Sequence, residues 1–213
     1  MISLCLVVGV VMGLNDYEQV RHIIAESGGV ARTSAFNAAG FTNAAVSEMC
    51  RQELIVRIRS GYYTLSQQNQ NEEEIIAELF PDGIVCQDSA LFYYGYSDRT
   101  PLEWHLAFPR TVTRSRFEID YPPVRAYLVQ KNILGLGKTI GRWNDTDIAV
   151  YDRERTICDC FKRKPQMDSE VFVKAVNAYA VDEKRNLSNL SCYAKQLRVN
   201  KKVTEIMEVL IGG

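Results

Sequence analysis

Three short helical patterns and a hairpin signal succeed one another at the start of the chain, and this order restricts the fold more than any other sequence feature. The first helix carries apolar residues at helical spacing and stops at the pair Gly28 and Gly29. After a short extended segment, Thr33 is a good N-cap for a brief second helix over 34–39. Gly40 comes next, where the end of a helix favours a positive φ. The spacing therefore predicts two helices, with a tight turn after the second.

A third helix and two strands complete this block. The helix opens at Thr42 or Asn43. Residues 54–59 then alternate apolar and basic side chains with the period of a strand, and after a Ser-Gly turn residues 62–65 form a second β-rich run. Three helices followed by a hairpin are typical of a winged helix-turn-helix, which predicts a DNA-binding domain of this kind over 14–66.

A polar segment separates this block from the rest of the chain. Residues 66–71 read Ser-Gln-Gln-Asn-Gln-Asn and are predicted to be a linker. Beyond them, strand-like segments precede three apolar helical stripes in the last part of the chain. The predicted strands are 104–108, 117–121, 124–129 and 148–151. The fold class is therefore predicted as α+β, with a mixed strand-helix domain over 72–213 that ends in a helical part.

Charge and composition exclude several classes of protein. The 25 basic and 26 acidic residues give a net charge of −1, which excludes a protein coated with basic side chains. Charge acts where it is clustered, however, and residues 28–66 carry four arginines against two glutamates. Six scattered cysteines without a CxxC pair, and two isolated histidines, predict neither a metal site nor a cofactor. Reduced, buried cysteines are typical of a cytoplasmic protein.

The third helix and the hairpin carry the side chains that a DNA-binding domain needs. Polar residues near the start of a helix in the major groove read base edges, while a basic wing binds phosphates. The candidate DNA-binding residues are Arg32, Thr42, Asn43, Ser47, Arg51, Arg57 and Arg59. The period of two places Arg57 and Arg59 on one face of their strand. The alternative is a protein-docking or structural module, in which these arginines form a solvated strand face.

A glycine-rich segment has the composition of a phosphate-binding loop. Its glycines are Gly135, Gly137 and Gly141, and Lys138-Thr139 follow the second of them. This spacing fits neither the P-loop nor the dinucleotide fingerprint, so a loop between strands is predicted.

An arginine-rich segment, residues 109–116, follows a predicted strand and contains no acid. Arg110, Arg114 and Arg116 are expected either to bind phosphate, RNA or an acidic partner, or to remain solvated. No Ser or Cys has a His partner at a predicted strand end, and the chain is predicted not to be an enzyme.

The first residues form an apolar run that is shorter than the roughly 20 residues needed to span a bilayer. The run also lacks the basic start and the cleavage site of a secretory signal. We therefore expect no membrane segment, and we expect translation to begin at Met12, with residues 1–11 an over-extended gene start.

Five motifs, the third of which consists of two segments, lie in order between residues 16 and 210 and are shared with one known family. The first two are Gly29-Val-Ala-Arg-Thr-Ser-Ala-Phe-Asn-Ala-Ala-Gly40 and Leu54-Ile-Val-Arg-Ile-Arg-Ser-Gly-Tyr-Tyr-Thr-Leu65. The third pairs Asp88-Ser-Ala-Leu-Phe-Tyr-Tyr-Gly95 with Trp104-His-Leu-Ala-Phe-Pro-Arg110. The last two are Tyr151-Asp-Arg-Glu-Arg-Thr-Ile-Cys-Asp-Cys-Phe161 and Tyr193-Ala-Lys-Gln-Leu-Arg-Val199. Together they resemble the AbiE-type antitoxins of type IV toxin-antitoxin (abortive infection) systems.

The resemblance implies a cytoplasmic protein of bacterial type with two domains. Its winged helix would bind operator DNA of its own operon as an autorepressor, and its C-terminal domain would oppose a nucleotidyltransferase-like toxin. Direct binding of the toxin is not implied in a type IV system. The alternative is a stand-alone winged-helix transcriptional regulator whose second domain senses a ligand or a protein. A toxin-like gene beside this one would favour the first.

Overall fold

The structure, a computed structural model, describes residues 14–66 and 71–211. The chain divides into two compact units between Leu79 and Phe80. The α+β class and the helical C-terminal part are confirmed. Residues 72–79, which form the helix after the predicted linker, group with the first unit. The predicted start at Met12 and residues 67–70 of the linker lie outside the described residues.

The first unit consists of a small sheet and short helices. Its elements are α1 (Leu14–Glu26), β1 (Ala31–Arg32), α2 (Thr33–Ala38), α3 (Asn43–Arg51), β2 (Ile55–Arg59), β3 (Tyr62–Leu65) and α4 (Glu72–Leu79). The three strands form an antiparallel sheet in the order β1-β3-β2. Phe36, Val46 and Met49 are buried in a core that α1, α2, α3 and the sheet share.

The start of α2 differs from the prediction in one respect. Thr33 does not cap the helix but is its first residue, and no side chain caps this end. Its hydroxyl instead donates to the carbonyl oxygen of Gly61 at 3.3 Å. This bond ties the start of α2 to the turn of the β2–β3 hairpin.

The second unit combines a five-stranded sheet with a helical half. The strands are β4 (Ile84–Val85), β5 (Trp104–Pro109), β6 (Val124–Val129), β7 (Lys138–Trp143) and β8 (Thr146–Tyr151). Their order is β6-β5-β4-β8-β7, with parallel pairs β5–β6 and β4–β8. The helices are α5 (Gln87–Tyr93), α6 (Lys131–Leu134), α7 (Arg153–Arg163), α8 (Ser169–Val181), α9 (Leu187–Gln196) and α10 (Asn200–Ile211). Across both described ranges, no helix combines the length and the apolarity that crossing a membrane requires.

Two predictions for the sheet are wrong. Residues 117–121 form no strand, and Arg114–Phe117 is a 3-10 turn. The aromatic side chain of Phe117, which suggested a strand, packs instead against Phe108, with ring centroids 4.6 Å apart. The glycine-rich segment is only partly a loop, since β7 begins at Lys138 and pairs with β8. Strand β4 has two residues, which are too few to show a period and so could not be predicted.

Helix α7 is the centre of the second unit. Every residue from Glu154 to Phe161 is buried, so the helix has almost no solvated face. Its apolar side joins α5, α8, α9 and α10 in one core around Ile157 and Phe161. The predicted helical stripes are confirmed here, because their buried members pack into this core.

The polar side chains of α7 are buried with partners. Asp152 caps the helix by accepting from the amide of Arg155 at 2.8 Å, and Glu154 accepts from Tyr179 Oη at 3.1 Å. Arg155 Nε donates to Asp159 at 3.1 Å. Arg155 Nη1 donates to the carbonyls of residues 133 and 136 at 2.7 and 2.9 Å. These bonds give the buried guanidinium hydrogen-bond partners and fix the loop before β7 against the helix.

Gly137 is required where this loop meets α7. It has a φ of +71°, and a Cβ there would lie 2.6 Å from Arg155 Cβ and 2.9 Å from Asp152 Oδ1. Gly135, two residues earlier, has an ordinary φ of −79° and open space around its missing Cβ. The two glycines thus form a matched pair, one constrained and one free.

We expect Gly137→Ala to lower the free energy of unfolding by about 2–4 kcal/mol, since it combines a left-handed backbone with a clash against a packed helix. Gly135→Ala should change it by less than about 1 kcal/mol. Urea unfolding of both variants measures the difference. Equal effects would show that α7 and this loop do not pack as described.

Candidate nucleic-acid interface

Helices α2 and α3 are joined by a turn that sets their angle. Gly40 in this turn has a φ of +95°, as predicted. The amide of Phe41 donates to the carbonyl of Phe36 at 3.0 Å, which closes the turn over the core. Thr42 then caps α3, its hydroxyl accepting from the amide of Ala45 at 3.2 Å. Thr42, which was predicted to contact DNA, therefore stabilises the start of α3 as its N-cap.

Helix α3 shows one polar, exposed row. Asn43, Ser47 and Arg51 are spaced by four residues, so they lie along one face of the helix. Val46 and Met49 anchor the opposite face in the core. Arg51 is ion-paired with Glu48 on the same helix. The row provides an amide, a hydroxyl and a guanidinium within a helix nine residues long.

A bulge in the hairpin separates the two arginines that were predicted to share a face. Arg57 is opposite Tyr63 and Arg59 is opposite Tyr62, with a register shift between them. Residues directly opposite each other share a face, while consecutive residues of a strand face opposite ways. Arg57 and Arg59 thus lie on opposite faces of the sheet, and the prediction is wrong because Ile58, fully buried, interrupts the period of two.

Arg57 lies on the face that packs against the helices. Tyr63, its neighbour across the hairpin, packs edge-on against Phe36 with ring centroids 5.9 Å apart. The charge of Arg57 also reaches Cys50 of α3, where burial raises the pKa of the thiol and Arg57 opposes that rise. Arg57 therefore belongs to the same side as α3.

Arg32 and Arg59 lie on the other face, on either side of Tyr62. All three residues are in register across the sheet, one on each strand. The guanidinium carbons of Arg59 and Arg32 lie 3.9 and 5.2 Å from the centroid of the Tyr62 ring. Neither arginine has a carboxylate partner among the described residues, and Arg59 Nε is buried without a hydrogen bond there. The two cations are thus held in place by an aromatic ring and not by an acid.

The positive charge of the first unit is local. Up to Leu79 the chain carries five arginines and nine carboxylates, a net charge of −4. Four of those carboxylates lie on α4, which was predicted to belong to the second domain. A polyanion would therefore find attraction only around α3 and the hairpin.

The three arginines of the segment 109–116 have different surroundings. Arg110 lines a large cleft of the second unit, and Arg114 is exposed in the 3-10 turn. Arg116 donates two hydrogen bonds to the carboxylate of Asp82, one of 2.8 Å. Its guanidinium carbon also lies 5.5 Å from the ring centroid of Phe108. The segment itself is free of acids, but the fold supplies one, so Arg116 has a structural contact.

The large cleft has a volume of about 800 Å³ and lies between the ends of β5 and β6, the C-terminal part of α7 and the link from α9 to α10. Six cations and one carboxylate line it: Arg110, Arg155, Lys162, Arg163, Arg198, Lys202 and Asp159. Asp159 is paired with Arg155 at 3.1 Å. The other five cations have no carboxylate partner within the described part of the chain.

Most of this cleft was not predicted from the sequence. Only Arg110 was among the predicted residues, because the other cations come from helices that are distant in the sequence. The sequence does contain one indication of the cleft, because residues 162–164 and 201–202 are two local clusters of positive charge. Their proximity follows from the packing of α7 against α10, which the sequence does not reveal.

Two further reactive groups, Cys158 and His105, are buried. Burial raises the pKa of the Cys158 thiol to about 12 and lowers the pKa of His105, so both are uncharged at neutral pH. Within the described residues, no three His, Cys, Asp or Glu side chains form a group that could hold a metal ion.

No family model matches the chain, and no curated protein matches it significantly. The resemblance to AbiE-type antitoxins thus rests on the five motifs alone.

The contact between Arg116 and Asp82 makes a pH-dependent contribution to stability. The hydrogen bonds and the charge of Arg116 lower the pKa of the Asp82 carboxyl. We expect Arg116→Ala to return that pKa towards about 3.9 and to lower the free energy of unfolding by about 1 kcal/mol at neutral pH. Because the folded pKa lies below the unfolded one, the ionic part of this difference is lost as the pH falls through the folded pKa. Carboxyl NMR titration measures the pKa, and Arg114→Ala, which removes an equal charge from the same turn, should leave it unchanged.

Proposed function

We propose that the first unit is a winged helix-turn-helix that binds operator DNA, and that the chain is the autorepressor and antitoxin of an AbiE-type system. The observation that carries the DNA-binding part is the arrangement of two sets of side chains. One is the exposed row on α3, and the other is the pair Arg32 and Arg59 beside Tyr62.

The geometry of α3 supports a reading helix. Nine residues give a helix about 13 Å long, which the major groove of B-DNA accommodates. Asn43 at its first turn can form two hydrogen bonds to an adenine, and Ser47 lies one turn further along the same face. Arg51 then lies at the end of this face, where it would meet the sugar-phosphate backbone of the duplex.

The hairpin supports phosphate binding. Arg32 and Arg59 are restrained by Tyr62, so little side-chain entropy is lost when a phosphate binds them. Phosphate contacts position a protein on DNA but carry no sequence information. The two sets of residues should therefore have separable effects on binding.

The antitoxin part rests on the motif resemblance. Its central motif, residues 152–159, supplies the cap and the buried polar network of α7, so it supports a shared fold for the second unit. The alternative, a stand-alone regulator whose second unit senses a ligand, is favoured by the basic cleft. The presence or absence of a neighbouring nucleotidyltransferase-like gene separates the two.

We expect Arg32→Ala with Arg59→Ala to weaken binding equally on operator and random duplexes, and to lower the slope of log Kobs against log[salt] by about two contacts. Asn43→Ala and Ser47→Ala should each cost about 1–3 kcal/mol on the operator and little on random DNA. Fluorescence anisotropy across a salt series measures both. Arg21→Ala, which removes one positive charge from α1 outside both sets, should leave the slope unchanged. Equal losses of the α3 variants on both DNAs would contradict a reading helix.

Repression and antitoxin activity should also be separable in cells. In the full chain, Arg32→Ala with Arg59→Ala should relieve repression of a reporter driven by the operon promoter. The same variant, expressed from an independent promoter, should still rescue growth when the neighbouring toxin is induced, because the second unit is unchanged. Rescue by neither the variant nor the wild-type chain would favour the stand-alone regulator.

A further inference from the structure

The basic cleft of the second unit concentrates charge of one sign. Like charges repel one another, and the five unpaired cations come from separate segments that the fold brings together. From Phe80 onward the chain carries twenty basic and seventeen acidic side chains, so acids were available to neutralise them. A concave site with this concentration of unpaired positive charge favours binding of an anionic ligand.

Backbone strain is concentrated at the same cleft. Among the described residues, four side chains other than glycine sit at a positive φ: Glu53, Gln87, Asn144 and Arg198. Gln87 and Arg198 both line the cleft. Arg198 follows α9 at a φ of +61°, and the amide of Val199 donates to the carbonyl of Ala194 at 2.9 Å. Glycine is the usual residue at a helix ending of this kind. An arginine at this position carries a cost in backbone strain, which indicates that its side chain has a role in the cleft.

The rest of the lining indicates what kind of anion fits. Five amide side chains face the cleft: Gln87, Gln130, Asn132, Gln166 and Gln196. Amides both donate and accept hydrogen bonds, as the edge of a base and a ribose require. Tyr127 adds a half-buried aromatic ring, and the guanidinium of Arg163 lies 4.6 Å from its centroid. An inorganic anion would use only the cations, and about 800 Å³ is room for a much larger molecule.

We propose that this cleft binds a nucleotide, with the phosphates held by the unpaired cations and the base and ribose by the amides and Tyr127. The same chemistry is offered by a free nucleoside triphosphate and by the terminal nucleotides of a single RNA strand. This inference does not depend on the proposed DNA binding, because it concerns different residues in the other unit.

The test uses the full chain and a pair of lysines adjacent on α10. Lys202 lines the cleft, while its neighbour Lys201 does not and lies 4.0 Å from Glu205. Calorimetric titration is carried out with ATP, GTP, CTP and UTP, and anisotropy with a labelled single-stranded RNA of about twelve nucleotides. Lys202→Ala should weaken binding about ten-fold and Lys201→Ala less than about two-fold, because only the first removes a phosphate contact. Arg32→Ala with Arg59→Ala should have no effect on triphosphate binding.

Arg198→Gly provides a readout that a purely structural role would not give. It removes a cation from the cleft and relieves the positive φ, so it should weaken binding about ten-fold and raise the melting temperature by roughly 2–4 °C. The proposal is supported, and the ligand is a free nucleotide, if a nucleoside triphosphate binds and if Lys202→Ala and Arg198→Gly weaken that binding while Lys201→Ala does not. Binding of RNA alone, with the same pattern, supports it and identifies a strand end. No binding of either probe, binding that inorganic triphosphate matches in affinity, or equal effects of the two lysine variants would overturn it.

Discussion

The second unit depends on one buried guanidinium. The side chain of Arg155 is 2% exposed, and its Nε and Nη1 donate to Asp159 and to two carbonyls of the loop before β7. Burying a charge is tolerable only when its partners are in place, and removing one partner of such a pair costs about 3–5 kcal/mol. The loop, the start of α7 and the end of β8 are therefore fixed together, and Gly137 is glycine because nothing larger fits between them.

The same constraint positions the basic cleft. With its first turns immobilised, α7 carries Lys162 and Arg163 to the cleft wall, and Arg155 with Asp159 forms part of that wall. The motif from Asp152 to Asp159 is thus structural in its contacts. Its effect on a bound anion is indirect, through the cations that it helps to place.

Elements with a long, regular pattern could be predicted from the sequence, and elements set by tertiary contacts could not. The C-terminal helices and β5, β6 and β8 have enough residues to show their period. Ile58 shows the limit, since a single bulge residue reversed the face assigned to an arginine. Phe117 shows another, because aromatic packing in a 3-10 turn has the composition of a strand. The α3 row was predictable, whereas the cleft, assembled from distant helices, was not.

The two units carry net charges of opposite sign, which the net charge of the whole chain does not reveal. The first unit has a net charge of −4 and the second of +3, although the overall value is −1. The predicted DNA contacts thus lie on the more acidic unit, where screening by salt acts over about 8 Å and only nearby arginines attract a phosphate. An acidic unit binds random DNA weakly, because non-specific affinity comes from phosphate neutralisation. Base contacts from α3 would then account for a larger share of operator recognition than in a strongly basic domain, which favours selectivity over raw affinity.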